Sequence, residues 1–199
     1  MRLDHIAYRV PQGKRDEVAK FFMEAFGYAY QDSFPLEFDD GTSAQCVALE
    51  PPEKKKDSLW KYWSYTEYYG CSPDIPNCWI VNTGEVLTIP NTEYHLAPEL
   101  FISEGDPGSI VDNWVKSRGG YGGIHHLAYQ VDDVAAKMAE WKEKGWAEFS
   151  SEKPLTCPGL EQVFTVPNHT GVVYEFIHRE GPGFCKENVK ALMQSTKRD

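Results

Sequence analysis

One short phrase occurs twice in this chain. Near the N-terminus it reads Leu3-Asp4-His5-Ile6-Ala7-Tyr8-Arg9-Val10, and far downstream Ile124-His125-His126-Leu127-Ala128-Tyr129-Gln130-Val131. His, Ala, Tyr and Val return in the same places, while the apolar slots exchange Leu and Ile. Apolar and polar residues roughly alternate, which is the period of a half-buried strand. A strand written twice with a histidine at one fixed position implies two copies of one structural unit. Two such copies can bring both histidines to a shared centre.

The residues after each phrase follow the same order. In the first copy Pro11-Gln12-Gly13 is a turn. Val18, Phe21, Phe22, Ala25 and Phe26 then fall at helical spacing, and Gly27 stops the helix. Residues 28–38 read as extended, Asp39-Asp40-Gly41 as a turn and 44–49 as a strand. In the second copy Asp132 and Asp133 cap a helix with Val134, Met138 and Trp141 on its buried face, and Gly145 ends it. Residues 146–149, 160–166 and 172–178 read as strands, and 99–103 is the equivalent closing strand of the first copy.

The expected fold class is therefore α+β: two βαβββ modules forming a curved mixed sheet. Residues 1–108 make the first module and 124–180 the second. A helix and a glycine-rich linker fill 109–123, and 181–199 carries a C-terminal helix, all within one structural domain. Residues 51–96 have no counterpart in the second copy. They hold a lysine run and then Trp60, Tyr62, Trp63, Tyr65, Tyr68, Tyr69 and Trp79. Such aromatic density argues against disorder. The segment reads as a structural flap or as a lid over a pocket. Within it, 84–90 is a second candidate for the third strand of module one.

Composition excludes several functions. With 20 Lys and Arg against 30 Asp and Glu, the net charge of −10 disfavours nucleic acid and anionic membranes as partners. No apolar leader and no run of about 18 apolar residues is present, so the expected location is cytoplasmic. Five scattered cysteines (Cys46, Cys71, Cys78, Cys157, Cys185) fit reduced thiols. Cys71 and Cys78 have no second close pair to complete a zinc clip. No serine or cysteine sits in a nucleophile pattern.

Metal chemistry is better supported. Two histidines and one carboxylate with open positions form the arrangement that suits non-haem iron(II). His5 and His126 occupy equivalent strand positions. Glu175 interrupts the apolar strand Val172-Val173-Tyr174-Glu175-Phe176-Ile177, and a buried carboxylate is costly unless paired or coordinated. Neighbouring strand residues point to opposite faces. Alignment pairs His126 with His5 and His125 with Asp4, so His126 is the ligand of choice. His178 falls on the face opposite Glu175, and His95 and His169 lie in loops. A lone histidine or glutamate on a strand is usually structural; the joint pattern is what carries weight.

These residues resemble the vicinal oxygen chelate superfamily of glyoxalases, bleomycin resistance proteins and dioxygenases. Within it the likeness is to the catalytic C-terminal half of 4-hydroxyphenylpyruvate dioxygenase. The phrases that carry it are Gly123-Ile124-His125-His126-Leu127-Ala128, Leu160-Glu161-Gln162-Val163-Phe164-Thr165, Tyr174-Glu175-Phe176-Ile177-His178-Arg179 and Gly183-Phe184-Cys185-Lys186-Glu187-Asn188. The resemblance implies Fe(II) held by His5, His126 and Glu175. It implies Gln162 beside the substrate, Phe164 and Phe184 as pocket walls, and a gating last helix. His125 stands where that family usually has glutamine, and it joins the candidate substrate contacts.

The implied activity is a dioxygenase using O2 on a 2-oxo acid or a related small, including aromatic, substrate. Two other classes share the fold: a glyoxalase-like lyase or epimerase using Zn, Ni, Co or Mn, and a binding protein of the resistance type without catalysis. An epimerase needs a base beside the metal, for which His125, Gln162 or Glu99 are the candidates. The missing non-catalytic half of the dioxygenase leaves a surface uncovered, which points to a homodimer.

Overall fold

The computed structural model describes residues 1–52, 61–63, 86–88, 97–167, 170–181 and 183–196. Cys71, Cys78, His95, His169 and most of the 51–96 insertion, including its reading as lid or flap, lie outside the described residues. The chain divides into two compact units, Met1–Pro52 with Ala97–Asp199, and Glu53–Leu96. In the second unit β4 (Lys61–Trp63) pairs antiparallel with β5 (Val86–Thr88).

The first unit contains the doubled motif. One copy is β1 (Arg2–Arg9), α1 (Arg15–Phe26), β2 (Ala29–Glu37), β3 (Ser43–Glu50) and β6 (Glu99–Gly105). After α2 (Ile110–Ser117), the other copy is β7 (Gly123–Gln130), α3 (Val134–Glu143), β8 (Leu155–Cys157), β9 (Leu160–Phe164) and β10 (Val173–Arg179). The chain closes with α4 (Lys186–Ser195). The eight strands form one sheet in the order β2-β3-β6-β1-β7-β10-β9-β8. This order reads alike from either end once β1 is exchanged for β7. β1 runs parallel to β6 and β7 parallel to β10, and β1 and β7 meet antiparallel in the middle. The fold is α+β, a curled half-barrel built from two βαβββ units.

Local chemistry explains the elements. Ser109 caps α2 by accepting from the Asp112 amide, and Asp133 caps α3 by accepting from the Ala136 amide. Gly27 closes α1 at φ 75°, a left-handed turn that suits glycine. Packing separates the two faces of the sheet. One face buries Val47, Leu49, Leu100 and Ile102 against α1, and Val163 and Phe176 against α3. Each such side chain taken out of water contributes about 1.5–3 kcal/mol. The other face, covered in part by α4 through Val189 and Met193, carries the histidines.

Several expectations need correction. Phe21 and Phe26 stand on the outer side of α1, 55% and 57% exposed; the helix instead packs through Val18, Ala19, Phe22 and Met23. Residues 146–149 are not a strand. Trp146 leaves the ladder to meet Trp141 edge-on, only Phe149 bridges to Thr165, and 155–157 takes the edge position. Of the 84–90 candidate only 86–88 is described; there β5 pairs with β4, and β6 is the strand beside β3. Cys157 and Cys185 lie with their sulfurs side by side, a pairing their spacing did not suggest, while Cys46 is free and buried.

Candidate metal centre

Three ligand atoms converge at the middle of the sheet. His5 Nε2 and His126 Nε2 lie 3.2 Å apart. Glu175 Oε2 is 3.3 Å from the first and 3.1 Å from the second. All three residues are buried. An ion about 2.1 Å from each of three cis ligands requires roughly these separations. An unpaired Glu175 at this depth would cost several kcal/mol, a large share of a domain's net stability of about 5–15 kcal/mol. The donor set therefore fits a divalent transition metal.

Register explains the convergence. His5 lies opposite Ala128 and His126 opposite Ala7, so each histidine faces a small residue of the other copy. Ala128 is also paired with Glu175 on β10, and Ala7 with Phe101 on β6. Phe101 is thus the repeat counterpart of Glu175, which is why only one copy provides a carboxylate.

The pairing of β1 with β7 is interrupted twice. Asp4 is the extra residue between Leu3 and His5, and His125 is the extra residue between Ile124 and His126. A β-bulge suspends the simple alternation of faces and re-aims the side chains beside it. As a result Asp4 Oδ1 lies 2.8 Å from His5 Nδ1, and His125 Nδ1 lies 2.9 Å from His126 Nδ1. The expectation that His125 must turn away from the ligand face is corrected by this bulge. Each ligand histidine is held at Nδ1 by the residue before it, which leaves Nε2 facing the centre.

Arg179 completes the support for His5. Its guanidinium is 3.0 Å from both carboxylate oxygens of Asp4 and 2.9 Å from Glu99 Oε2. The sequence reading did not single out Asp4, Arg179 or Arg9. For Arg179 a signal existed, since it stands two strand periods beyond Glu175 and shares its face. His178 is outside the cluster, its Nδ1 2.9 Å from the Val131 carbonyl.

Electrostatics follow from this arrangement. Burial pulls His5 down, but Glu175 and Asp4 outweigh it and raise it to about 9. Burial pushes Glu175 up, yet His5 and His126 hold it at about 2. His126 is lowered, chiefly by burial, against the pull of Glu175. Burial and the charges of Arg9 and His126 press His125 well below its ordinary range. Neutral His125 can then accept a hydrogen bond from Nδ1 of His126.

A small cavity, open at its mouth, lies against the three ligand atoms. Phe101, Phe164, Phe184, Val189, Leu192 and Met193 give it apolar walls. Phe164 leans on His126 at 4.6 Å between ring centres, and Phe184 meets His5 edge-on at 5.1 Å. Gln162 also lines it. This side chain is 1% exposed, and its Nε2 donor has no partner among the described residues. Gln162, Phe164 and Phe184 are thus brought beside the candidate ligands. His125 touches His126 but does not line this cavity: it lines a second, adjoining one behind His126.

The profile of the Glyoxalase/Bleomycin resistance protein/Dioxygenase superfamily matches residues 4–159. No curated protein sequence matches the chain. A mutant of 4-hydroxymandelate synthase from Streptomyces coelicolor superposes with a TM-score of 0.66 at 21% identity over 98% of this chain. The chain spans 52% of that synthase's length. A selenomethionine methylmalonyl-CoA epimerase superposes at 0.54 with 20% identity, over 91% of this chain and 97% of the epimerase. The methylmalonyl-CoA epimerase of Mycobacterium tuberculosis gives 0.53 at 16% identity, over 90% and 89%. At these identities the likeness is one of fold. Among the described residues no helix is long and apolar enough to cross a membrane.

Proposed function

The chain belongs to the Glyoxalase/Bleomycin resistance protein/Dioxygenase superfamily, and from that premise we propose that it is a metal-dependent enzyme, a non-haem Fe(II) dioxygenase acting on a 2-oxo acid. One observation carries the reading. Among the described residues lining the central cavity, the titratable groups are His5, His126 and Glu175 alone. An epimerase or glyoxalase-like lyase moves a proton and needs a base beside the metal. The candidates for that base other than the three ligands are otherwise engaged or cannot serve. Glu99 is paired with Arg179, His125 lies behind His126, and Gln162 carries an amide. A cavity without a free base suits chemistry supplied by the metal and O2.

His5, His126 and Glu175 would hold the ion. When bound, Fe(II) supplies Lewis acidity toward a chelating 2-oxo acid and redox chemistry with O2. The rest falls to the chain. Asp4, braced by Arg179, and His125 fix the planes and tautomers of the two imidazoles. Gln162 Nε2, a buried donor without a partner, is placed to donate to a substrate oxygen. Phe101, Phe164 and Phe184 exclude water from the reacting end.

The test is metal analysis of protein purified without added metal, followed by O2 uptake with a panel of 2-oxo acids. Stoichiometric iron with coupled O2 and 2-oxo acid consumption is the expected result. Zinc, nickel, cobalt or manganese with no O2 uptake would contradict it in favour of the lyase or epimerase class. Failure to hold any metal after reconstitution would leave a binding protein.

A further inference from the structure

The cup face of β1 reads His5, Ala7, Arg9 in alternate positions. Arg9 is 3% exposed. Its polar contact among the described residues is one long hydrogen bond, from Nη2 to Thr196 Oγ1 at 3.4 Å, and its guanidinium stands 5.9 Å from the Trp114 ring. No carboxylate pairs with it among the described residues. The contrast with Arg179 is direct, since that partly buried guanidinium is met by both Asp4 and Glu99. A buried cation without a counter-ion costs much of its hydration free energy and gains little in return.

The fold does not require this charge. The repeat counterpart of Arg9 is Gln130, whose neutral amide accepts from the backbone of Arg179. The place of Arg9 is distinctive in another way. It lines a second, small cavity together with Ser103 and His125. That cavity adjoins the one at the ligand cluster, and Phe101, His126, Phe164 and Met193 line both. Met193, an unbranched and adaptable side chain, stands at the junction. Backbone packs tightly behind the arginine, for a Cβ added to Gly122 would lie 2.8 Å from the Arg9 carbonyl oxygen.

We infer that Arg9 is the counter-ion for a second acidic group on the substrate, so that the enzyme takes 2-oxo diacids. The inference rests on the chelation reading above. The 2-oxo acid end lies at His5, His126 and Glu175, and the distal carboxylate lies against Arg9 and Ser103. His5 and Arg9 stand on the same face of β1, and the cavities beside them share lining residues, so the two ends of one substrate would meet different anchors.

The probes are 2-oxoglutarate and the monoacid of equal chain length, 2-oxopentanoate. Each is titrated by anaerobic calorimetry into Co(II)-loaded wild type, R9Q and R9M. Wild type is expected to bind the diacid at least about ten-fold more tightly, as a buried charge-assisted contact requires. In R9Q and R9M the preference should vanish while metal content and monoacid affinity persist. Both variants should melt no lower than wild type, because a buried unpaired charge has been removed. Equal binding of the two acids by wild type overturns the proposal without any variant and leaves chelation standing. A preference that survives in the variants, with only a lowered Tm, makes Arg9 a packing residue and overturns it too. If neither acid binds the metal-loaded protein, the chelation reading fails and this proposal falls with it.

Discussion

Asp4 Oδ1 lies 2.8 Å from Nδ1 of His5, and the bulge that makes this contact places two consecutive strand residues side by side. The carboxylate fixes the imidazole so that Nε2 faces Glu175. D4N keeps the shape and removes the charge. Metal affinity is expected to fall about 10–100-fold, the usual effect of losing such an outer partner. Competition against a chromogenic chelator measures it, and an unchanged affinity would show that the contact is incidental.

His125 does for His126 what Asp4 does for His5. H125F removes the polar contact and leaves Nδ1 of His126 without a buried partner. A loss of metal affinity of about 10–100-fold is expected. H125Q retains a polar group that can reach Nδ1 and should recover most of that loss. Equal affinities for the two variants would contradict the assignment.

Protons compete with metal at this site. In the metal-free protein His5 is raised to about 9, so its contribution to stability is fully present below its ordinary value of 6.5 and is lost as pH rises through about 9. Glu175 is lowered to about 2, so its contribution is present above its ordinary value of 4.5 and is lost as pH falls through about 2. The Tm of the metal-free protein, followed by circular dichroism, should therefore decline on both sides of a maximum between those ordinary values. Metal binding at pH 7 must displace the His5 proton, releasing about one proton per ion. Calorimetry in buffers of different ionisation enthalpy reads this release; identical heats would contradict a protonated His5.

Among the described residues Gln162 has a buried donor without a partner, which the proposed function assigns to the substrate. Q162L should bind metal normally and melt no lower than wild type, since it removes an unsatisfied group. Its cost should appear in substrate affinity, at about 3–10-fold for one net hydrogen bond. A marked fall in Tm with unchanged substrate affinity would make Gln162 a structural residue.

The doubled phrase was enough to anticipate two βαβββ copies, because strand alternation, helix caps and the stop at Gly27 are local signals. The pairing of His126 with His5 and the isolation of Glu175 could be read in the same way. What could not be read depends on contacts between separate elements of the chain. The bulges at Asp4 and His125 arise from register between β1 and β7, and alternation within one strand gives no hint of them. Trp146 resembles a strand residue yet packs on Trp141, which moves the edge strand to 155–157. Phe21 and Phe26 fit helical spacing, but Val18, Ala19, Phe22 and Met23 define the face that packs. Arg9 reads as a polar strand residue, and only the assembled sheet encloses it.

The central claim is that His5, His126 and Glu175 hold one ion. The most direct measurement is the metal content of E175A and E175Q beside wild type, after reconstitution with Fe(II) and gel filtration, with circular dichroism to verify folding. Wild type should retain about one equivalent and both variants almost none, while their spectra stay native. Native variants with the metal content of wild type would contradict the account.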